Sequence, residues 1–325
     1  MNRVDVAIAV PPRTLLLDVA GPAEAFRLAD VHLAAQGRPE RFRLRFVGPQ
    51  AQAASSVGLQ VANLEPLPTR FDAPTWLMVV GQPAAALREP DAATRETLDW
   101  LRRDAGPLLQ GGQDHRLVGV CTGTLLLARA GLLGTRRCTT HHAFIATLRR
   151  LAPQAQVVDN RVFVIDHGLA TSAGVTAGID LALHLVARAC GEPLAARVAQ
   201  DLVVYLRRTA DDPELSPMLA HRHHLHDAVH RAQDAVCERP GEDWTLSTLA
   251  AAAHVTPRHL SRLFAGHAAV SPMAYVEKIR LERARQALSG GASVTRAAEQ
   301  AGFSSDLQLR RAWSRHLEGT PRAAR

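Results

Sequence analysis

The chain has 325 residues, 47% of them hydrophobic, and a formal net charge of +7. That length suggests two domains, each able to bury its own core, and no apolar run approaches the ~20 residues of a membrane span. Four scattered cysteines (Cys121, Cys138, Cys190, Cys237) with no C-x-x-C pair argue against a disulfide framework or a zinc knuckle, while the positive charge favours a polyanionic partner.

In chain order, Val4–Val10 is short and rich in β-branched residues and reads as a buried strand. Asp5 stands where a secretory signal needs an apolar stretch, so a cytoplasmic protein is expected. Leu15–Ala35 reads as a helix interrupted at Gly21-Pro22. Further strands are predicted at Phe42–Val47, Trp76–Val80 and Leu117–Val120, with helices near Asp91–Asp104 and Thr122–Ala130. A β-rich stretch follows at Val157–Asp159, Arg161–Asp166 and Leu169–Ser172, and then a helix at Val175–Ala189. Strands alternating with helices predict a doubly wound α/β sheet over residues 1–192.

The chemistry-bearing stretch of this half is Val118-Gly-Val-Cys-Thr-Gly-Thr-Leu-Leu-Leu-Ala128, where a strand ends at Cys121 and a helix begins at once. Such a turn is a nucleophile elbow. It sets a thiol over the N–H groups of a helix N-terminus, whose dipole favours thiolate. From the spacing alone, a small buried cysteine at a tight turn fits as well. Gly81 and Cys121 lie where the carboxyl ends of parallel strands converge, the ligand crevice of open α/β sheets, so Gly81, Cys121 and the adjoining Thr122 are candidate ligand contacts. A Cys-His pairing needs an imidazole near Cys121, and His141 and His142 are candidates because they follow the next strand-like piece.

Residues 193–226 read as a helical linker. Leu194–Arg208 is amphipathic at helical spacing and is a candidate dimerisation helix, and Asp211-Asp212-Pro213 and Ser216-Pro217 mark a loop. His226 and His230, four apart, have a spacing that can hold a metal but more often forms the polar face of a helix. No metal or cofactor is expected.

Residues 227–325 hold 14 Lys+Arg against 10 Asp+Glu, a denser positive charge than the rest of the chain, and contain one motif twice. The copies are Ala253-His-Val-Thr-Pro-Arg-His-Leu-Ser-Arg-Leu-Phe264 and Ala301-Gly-Phe-Ser-Ser-Asp-Leu-Gln-Leu-Arg-Arg-Ala-Trp313. In each, a small-residue helix (Leu246–Ala253; Val294–Ala301) meets a tight turn and a second helix, the helix-turn-helix arrangement. Gly302 suits the turn because it tolerates positive φ; His254 takes that place in the first copy with more strain.

Leu260 with Phe264, and Leu309 with Trp313, form apolar stripes. Arg262 and Arg311 follow the leucines by two residues, roughly 200° round at about 100° per residue, and point outward. Arg258, Ser261, Gln308 and Arg310 also fall off the stripe. Base readout is expected from Arg258, Ser261, Arg262, Gln308 and Arg311, and phosphate or mixed contacts from His259, Ser305 and Arg310. Between the copies, Ser271-Pro272 starts a helix that runs past Leu288 to Ser289-Gly290-Gly291. A rigid connector would set both reading heads at a fixed separation; at about one DNA turn (~34 Å) they would enter successive major grooves on one side of the duplex.

This segment resembles the C-terminal DNA-binding domain of the AraC/XylS transcription regulators in Arg280-Leu-Glu-Arg-Ala284, Ala301-Gly-Phe-Ser304 and Thr320-Pro321. It departs from that pattern at Ala269 and Glu318, where the family usually has Gly, and at Leu309 and Trp313, where it usually has Phe. The first half is similar to the DJ-1/PfpI branch of the class I glutamine-amidotransferase-like superfamily. The matching pieces are Leu17-Asp-Val-Ala-Gly-Pro-Ala-Glu-Ala-Phe26, Cys121-Thr-Gly-Thr124, Ala130-Gly-Leu-Leu-Gly134, Thr139-Thr-His141 and Thr171-Ser-Ala-Gly-Val175.

That resemblance implies a flavodoxin-like sheet with an acid from the first helix beside the elbow cysteine, a position that Glu24 matches. Glu24 would then attract a cationic ligand such as an amine or an amino-acid derivative, or serve as a structural acid; were the domain an enzyme, Glu24 and Cys121 would be its catalytic pair. Thr-Thr-His belongs to the regulator branch, which adds His141 to the ligand contacts. The hydrolytic branch carries its histidine directly after the cysteine, where this chain has Thr122. The two resemblances together imply a transcription regulator, an activator more often than a repressor, whose sheet domain senses a metabolite without catalysis. Its partners would be double-stranded DNA, a small-molecule effector, RNA polymerase and a second copy of itself. The alternative is a Cys121-dependent hydrolase or hydratase with an auxiliary DNA-binding domain.

Overall fold

β1 (Val4–Ala9) is buried along its whole length, and its alternation sets the layering. Val4, Val6 and Ile8 join one core, Ala7 and Ala9 the other. β2 (Phe42–Gly48) and β6 (Thr75–Val79) flank β1 in parallel. With β5 (Glu65–Pro66), β7 (Arg116–Gly119), β10 (Phe163–Asp166) and β11 (Leu169–Ser172) they form a seven-stranded sheet ordered β10-β11-β7-β6-β1-β2-β5. It is parallel except for the β10–β11 hairpin. Strand order reverses between β1 and β6, the switch point at whose carboxyl ends open α/β sheets bind ligands. Two small ladders, β3 (Gln52–Ala54) with β4 (Gln60–Ala62) and β8 (Arg137–Cys138) with β9 (Gln156–Val157), stand outside this sheet. The computed structural model describes residues 3–109, 115–204, 208–210, 221, 224, 226–289, 291–317 and 320–322.

α1 (Leu16–Ala35), α6 (Ala177–Cys190) and α7 (Glu192–Asp201) cover one face of the sheet. α2 (Ala84–Arg88), α3 (Ala92–Trp100), α4 (Gly123–Arg129) and α5 (Ile145–Leu151) cover the other. Two expectations are corrected. α1 is not interrupted at Gly21-Pro22, since Pro22 lies inside it. A Cβ at Gly21 would come within 2.7 Å of Ile179 Cγ1, so the glycine serves the close approach of α1 to α6.

The segment beginning at residue 193 is not a linker either. Leu194, Ala195, Val198 and Ala199 of α7 are buried in the same core as α1 and α6, so its apolar face is already covered within the chain. Beyond it, Arg208 closes an ion pair with buried Asp180 at 2.7 Å. The chain accordingly divides into Met1–Glu214 and Leu215–Arg325. The loop expected at residues 211–217 lies outside the described residues, as do Gly290 and Glu318.

In the second unit, α8 (Asp227–Glu238), α9 (Leu246–Ala252) and α10 (Pro257–His267) build one core from Val229, Val236, Leu249, Leu260 and Phe264. α12 (Val294–Ala301) and α13 (Asp306–His316) build another from Ala297, Ala301, Leu309 and Trp313. α11 (Pro272–Ser289) serves both. It gives Tyr275, Val276 and Ile279 to the first core and Leu281, Ala284 and Leu288 to the second. Ser271 caps it, its Oγ accepting the Ala274 N–H at 3.2 Å. Among the described residues, no helix is long and apolar enough to cross a membrane.

Candidate effector crevice and nucleic-acid interface

β7 ends at Gly119 and α4 begins at Gly123, so Cys121 sits in a sharp turn with φ 54. A non-glycine residue in that left-handed region costs about 1–2 kcal/mol, and the surroundings must hold it there. The Cys121 N–H donates to Ser172 O at 3.2 Å. Thr140 Oγ1 donates to Cys121 O at 2.8 Å. A Cβ at Gly123 would collide with the Val79 carbonyl, so glycine lets α4 start hard against β6. Cys121 is only 1% exposed, and the four cysteines form no disulfide.

The acid beside the elbow is Asp18, not Glu24. Asp18 is fully buried in the first turn of α1, and its Oδ2 accepts the Gly81 N–H at 3.0 Å. Its Oδ1 is buried with no hydrogen-bond partner among the described residues. Burial pushes this carboxyl up to about 7, against the opposing effect of the Gly81 hydrogen bond. Glu24 follows six residues later, roughly 240° further round the helix. There it is largely solvated and bonded to Arg27 at 2.5 Å, a hydrogen bond that holds its carboxyl below the ordinary range. The signal in the sequence was an aspartate set within an apolar run, Leu15-Leu-Leu-Asp-Val19.

Gly81 lies at the switch between β1 and β6. A Cβ there would come within 2.6 Å of Asp18 Oδ2 and 2.7 Å of Thr122 Oγ1, so the acid, the turn and the elbow all meet at this glycine. Thr122 serves the scaffold: its hydroxyl donates to Gln82 O at 2.8 Å and accepts the Gln82 N–H at 2.9 Å. Gln82, which the sequence reading missed, is fully buried and donates from Nε2 to Pro12 O at 2.6 Å and to Thr94 Oγ1 at 3.0 Å. His141 follows Thr140, which bonds the elbow carbonyl. Its Nδ1 accepts the Ala143 N–H at 3.2 Å and its ring stacks on His142 with centroids 4.2 Å apart.

In the second unit, α10 buries Leu260, Leu263 and Phe264, and α13 buries Leu309, Ala312 and Trp313. Counting from Leu260 and Leu309, the faces correspond: Arg258 with Leu307, His259 with Gln308, Ser261 with Arg310, Arg262 with Arg311. Arg258, Arg262, Ser305, Gln308, Arg310 and Arg311 are exposed, while His259 and Ser261 are half-buried. Thr256 and Ser305 are the N-caps, accepting the N–H groups of His259 (3.3 Å) and Gln308 (3.2 Å). The hydroxyl of Ser305 is thereby tied to its own helix. Arg262 Nη2 lies 2.9 Å from His259 Nδ1, Gln308 Oε1 accepts the Ser304 N–H at 2.7 Å, and Arg310 faces Asp306 at 3.6 Å.

The turns are left-handed at His254 (φ 58) and Gly302 (φ 81). Ala269, which stands where the resembled family usually has Gly, is also left-handed at φ 53. Arg280, the first residue of the Arg-Leu-Glu-Arg-Ala motif, clamps the α8–α9 loop, donating to Pro240 O at 2.9 Å and Glu242 O at 2.7 Å. Glu277 of α11 holds Arg315 and His316 of α13 at 2.6 and 2.7 Å. His226 occupies the N-cap position of α8 without a side-chain capping bond, and the His230 Nε2 bonds the His224 carbonyl at 2.6 Å.

A doubly wound sheet with a cysteine elbow, followed by two helix-turn-helix units on one shared helix, defines a two-domain protein of the helix-turn-helix class. Residues 110–188 match the DJ-1/PfpI family and residues 249–325 match a helix-turn-helix domain family. The chain is similar to the HTH-type transcriptional regulator CdhR of Pseudomonas aeruginosa, 34% identical over 71% of this chain and 67% of that one. It is also similar to the regulator GbdR of the same species, 32% identical over 72% of this chain and 62% of that one. An isonitrile hydratase of Pseudomonas putida is 40% identical over 46% of this chain and 59% of its own length. The chain belongs to the family of HTH-type transcriptional regulators that carry a DJ-1/PfpI domain ahead of an AraC-type helix-turn-helix domain. The match with GbdR spans less than two thirds of that regulator's length.

Proposed function

We propose that the protein is a sequence-specific DNA-binding transcription regulator, acting as an activator under the control of a small metabolite bound at the elbow crevice. The observation that carries this reading is the pair of outward arginines, Arg262 and Arg311, each two residues beyond a buried leucine and each on a helix packed against α11. One helix serving two cores suppresses relative motion of the heads, as reading two successive grooves requires. The reading extends to a homodimer that engages RNA polymerase, with sedimentation in the presence and absence of DNA as the check on the dimer.

The effector contacts are assigned to Asp18, Gly81, Cys121 and His141. Buried Oδ1 of Asp18 is an acceptor that a ligand N–H would satisfy, which supports an amine or amino-acid derivative as effector. For the effector to switch transcription, it must favour one arrangement of the DNA-binding domains over another. The test is binding to the DNA upstream of the gene across a salt series, with and without candidate amines. Specific, salt-sensitive binding shifted by one ligand supports the reading; equal binding to random DNA under every condition removes it.

A second reading, a Cys121-dependent hydratase or hydrolase, draws on the left-handed elbow and the similarity to isonitrile hydratase over 46% of the chain. Alkylation separates the two: a thiol that stays inert toward a mild electrophile in the folded protein sets the enzyme aside.

A further inference from the structure

Opposite its buried leucine, each recognition helix carries two outward residues one turn apart. In α10 these are Arg258 and Arg262; in α13 they are Leu307 and Arg311. Leu307 is 53% exposed and takes no part in the core that buries Leu309, Ala312 and Trp313. The exposed residues around it, Gln308, Arg310, Arg311 and Ser314, are all polar. Solvation of a leucine side chain here is unfavourable, so a partner that covers it contributes to binding.

We propose that Leu307 is a specificity-determining residue whose side chain packs on the 5-methyl group of a thymine in the major groove. Arg258, at the corresponding place in α10, addresses a hydrogen-bonding base edge or a phosphate. The inference rests on the DNA-binding reading above. Among the donor and acceptor edges of the major groove, the thymine methyl is the apolar mark. Arg310 and Arg311 flank Leu307 with the charge that holds a phosphate backbone, so its surroundings fit a nucleic acid rather than an apolar protein surface. The two heads therefore read different chemistries, and the protein has one preferred direction on an asymmetric site.

The full-length protein, Leu307→Ala and Leu307→Gln are each used to select duplexes from a randomised pool, after melting curves verify that the variants fold. The expected outcome is an A·T pair at one position in the half read by α13, lost in both variants. Replacing that thymine with deoxyuracil removes only the methyl. The substitution weakens the wild-type complex about fourfold and leaves the Leu307→Ala complex unchanged. Because it leaves the protein intact, a folding defect cannot imitate the result. A preferred sequence indifferent to both changes overturns the role of Leu307 while DNA reading stands. A pool that yields no preferred sequence overturns DNA reading and this inference with it.

Discussion

In the first helix-turn-helix unit the turn residue is His254 at φ 58; in the second it is Gly302 at φ 81. The backbone plan is the same and the surroundings are not. His254 is exposed, whereas a Cβ at Gly302 would lie 2.5 Å from Gly241 Cα and 2.9 Å from Pro240 O. The second turn is pressed against the α8–α9 loop, which Arg280 clamps from α11. A left-handed position thus tolerates histidine where there is open space and requires glycine where another backbone arrives. Local conformation alone would not separate the two cases.

The largest effect expected follows directly from that difference. Gly302→Ala costs on the order of 4 kcal/mol, because strain from positive φ adds to a backbone collision that no rotamer relieves. Denaturant melting should show the second core lost early, and a change below about 1 kcal/mol would mean that the loop moves aside.

The sheet domain offers an effect nearly as large, at Asp18. Its carboxyl is raised from 3.8 to about 7 in the folded chain, so between those values the folded state holds a proton that the unfolded state releases. The stability contributed is full below the unfolded value and is lost as pH rises through about 7, about 3 kcal/mol of it between pH 5 and pH 8. Asp18→Asn keeps an acceptor for the Gly81 N–H and removes the titration. Its stability relative to the wild type should rise from pH 5 to pH 8, and parallel curves would exclude Asp18 as the source. For the same reason a cationic effector should bind more tightly as pH rises through about 7.

Arg262→Ala and Arg311→Ala should each cost about 2 kcal/mol in specific binding and change preference in different halves of the site. Identical changes in preference from both variants would mean that the two units do not read separate grooves. The smallest effect is the counterpart of the first. His254→Gly relieves strain of about 1–2 kcal/mol but adds freedom to the unfolded chain, for a net gain of about 0.5 kcal/mol in melting experiments.

Much of the fold was legible. The apolar runs that became β1 and β6 are buried along their whole length, so composition and length sufficed. The four-residue spacing of Leu260 and Phe264, and of Leu309 and Trp313, likewise set the faces of α10 and α13. What escaped depended on neighbours distant in sequence. Gly21 serves the close approach of Ile179 instead of a break, and the helix expected to dimerise has its apolar face covered by α1 and α6. Glu24 matched a family position in one dimension, yet the helix turns it toward Arg27 and solvent. Leu307 passed unnoticed although the count that turns Arg311 outward turns it outward too, because a leucine reads as core until its exposure is seen.

The sequence by itself determined the two-domain order, the cysteine at a strand-to-helix turn and the paired recognition helices, since these follow from local periodicity, caps and turn residues. Only the tertiary structure decided which acid meets the elbow, where the first domain ends, and which outward side chains remain uncovered. Burial and charge are set by what packs against a residue, and that packing joins segments such as Asp18 and Gly81, or Gly302 and Pro240, that are far apart in the chain.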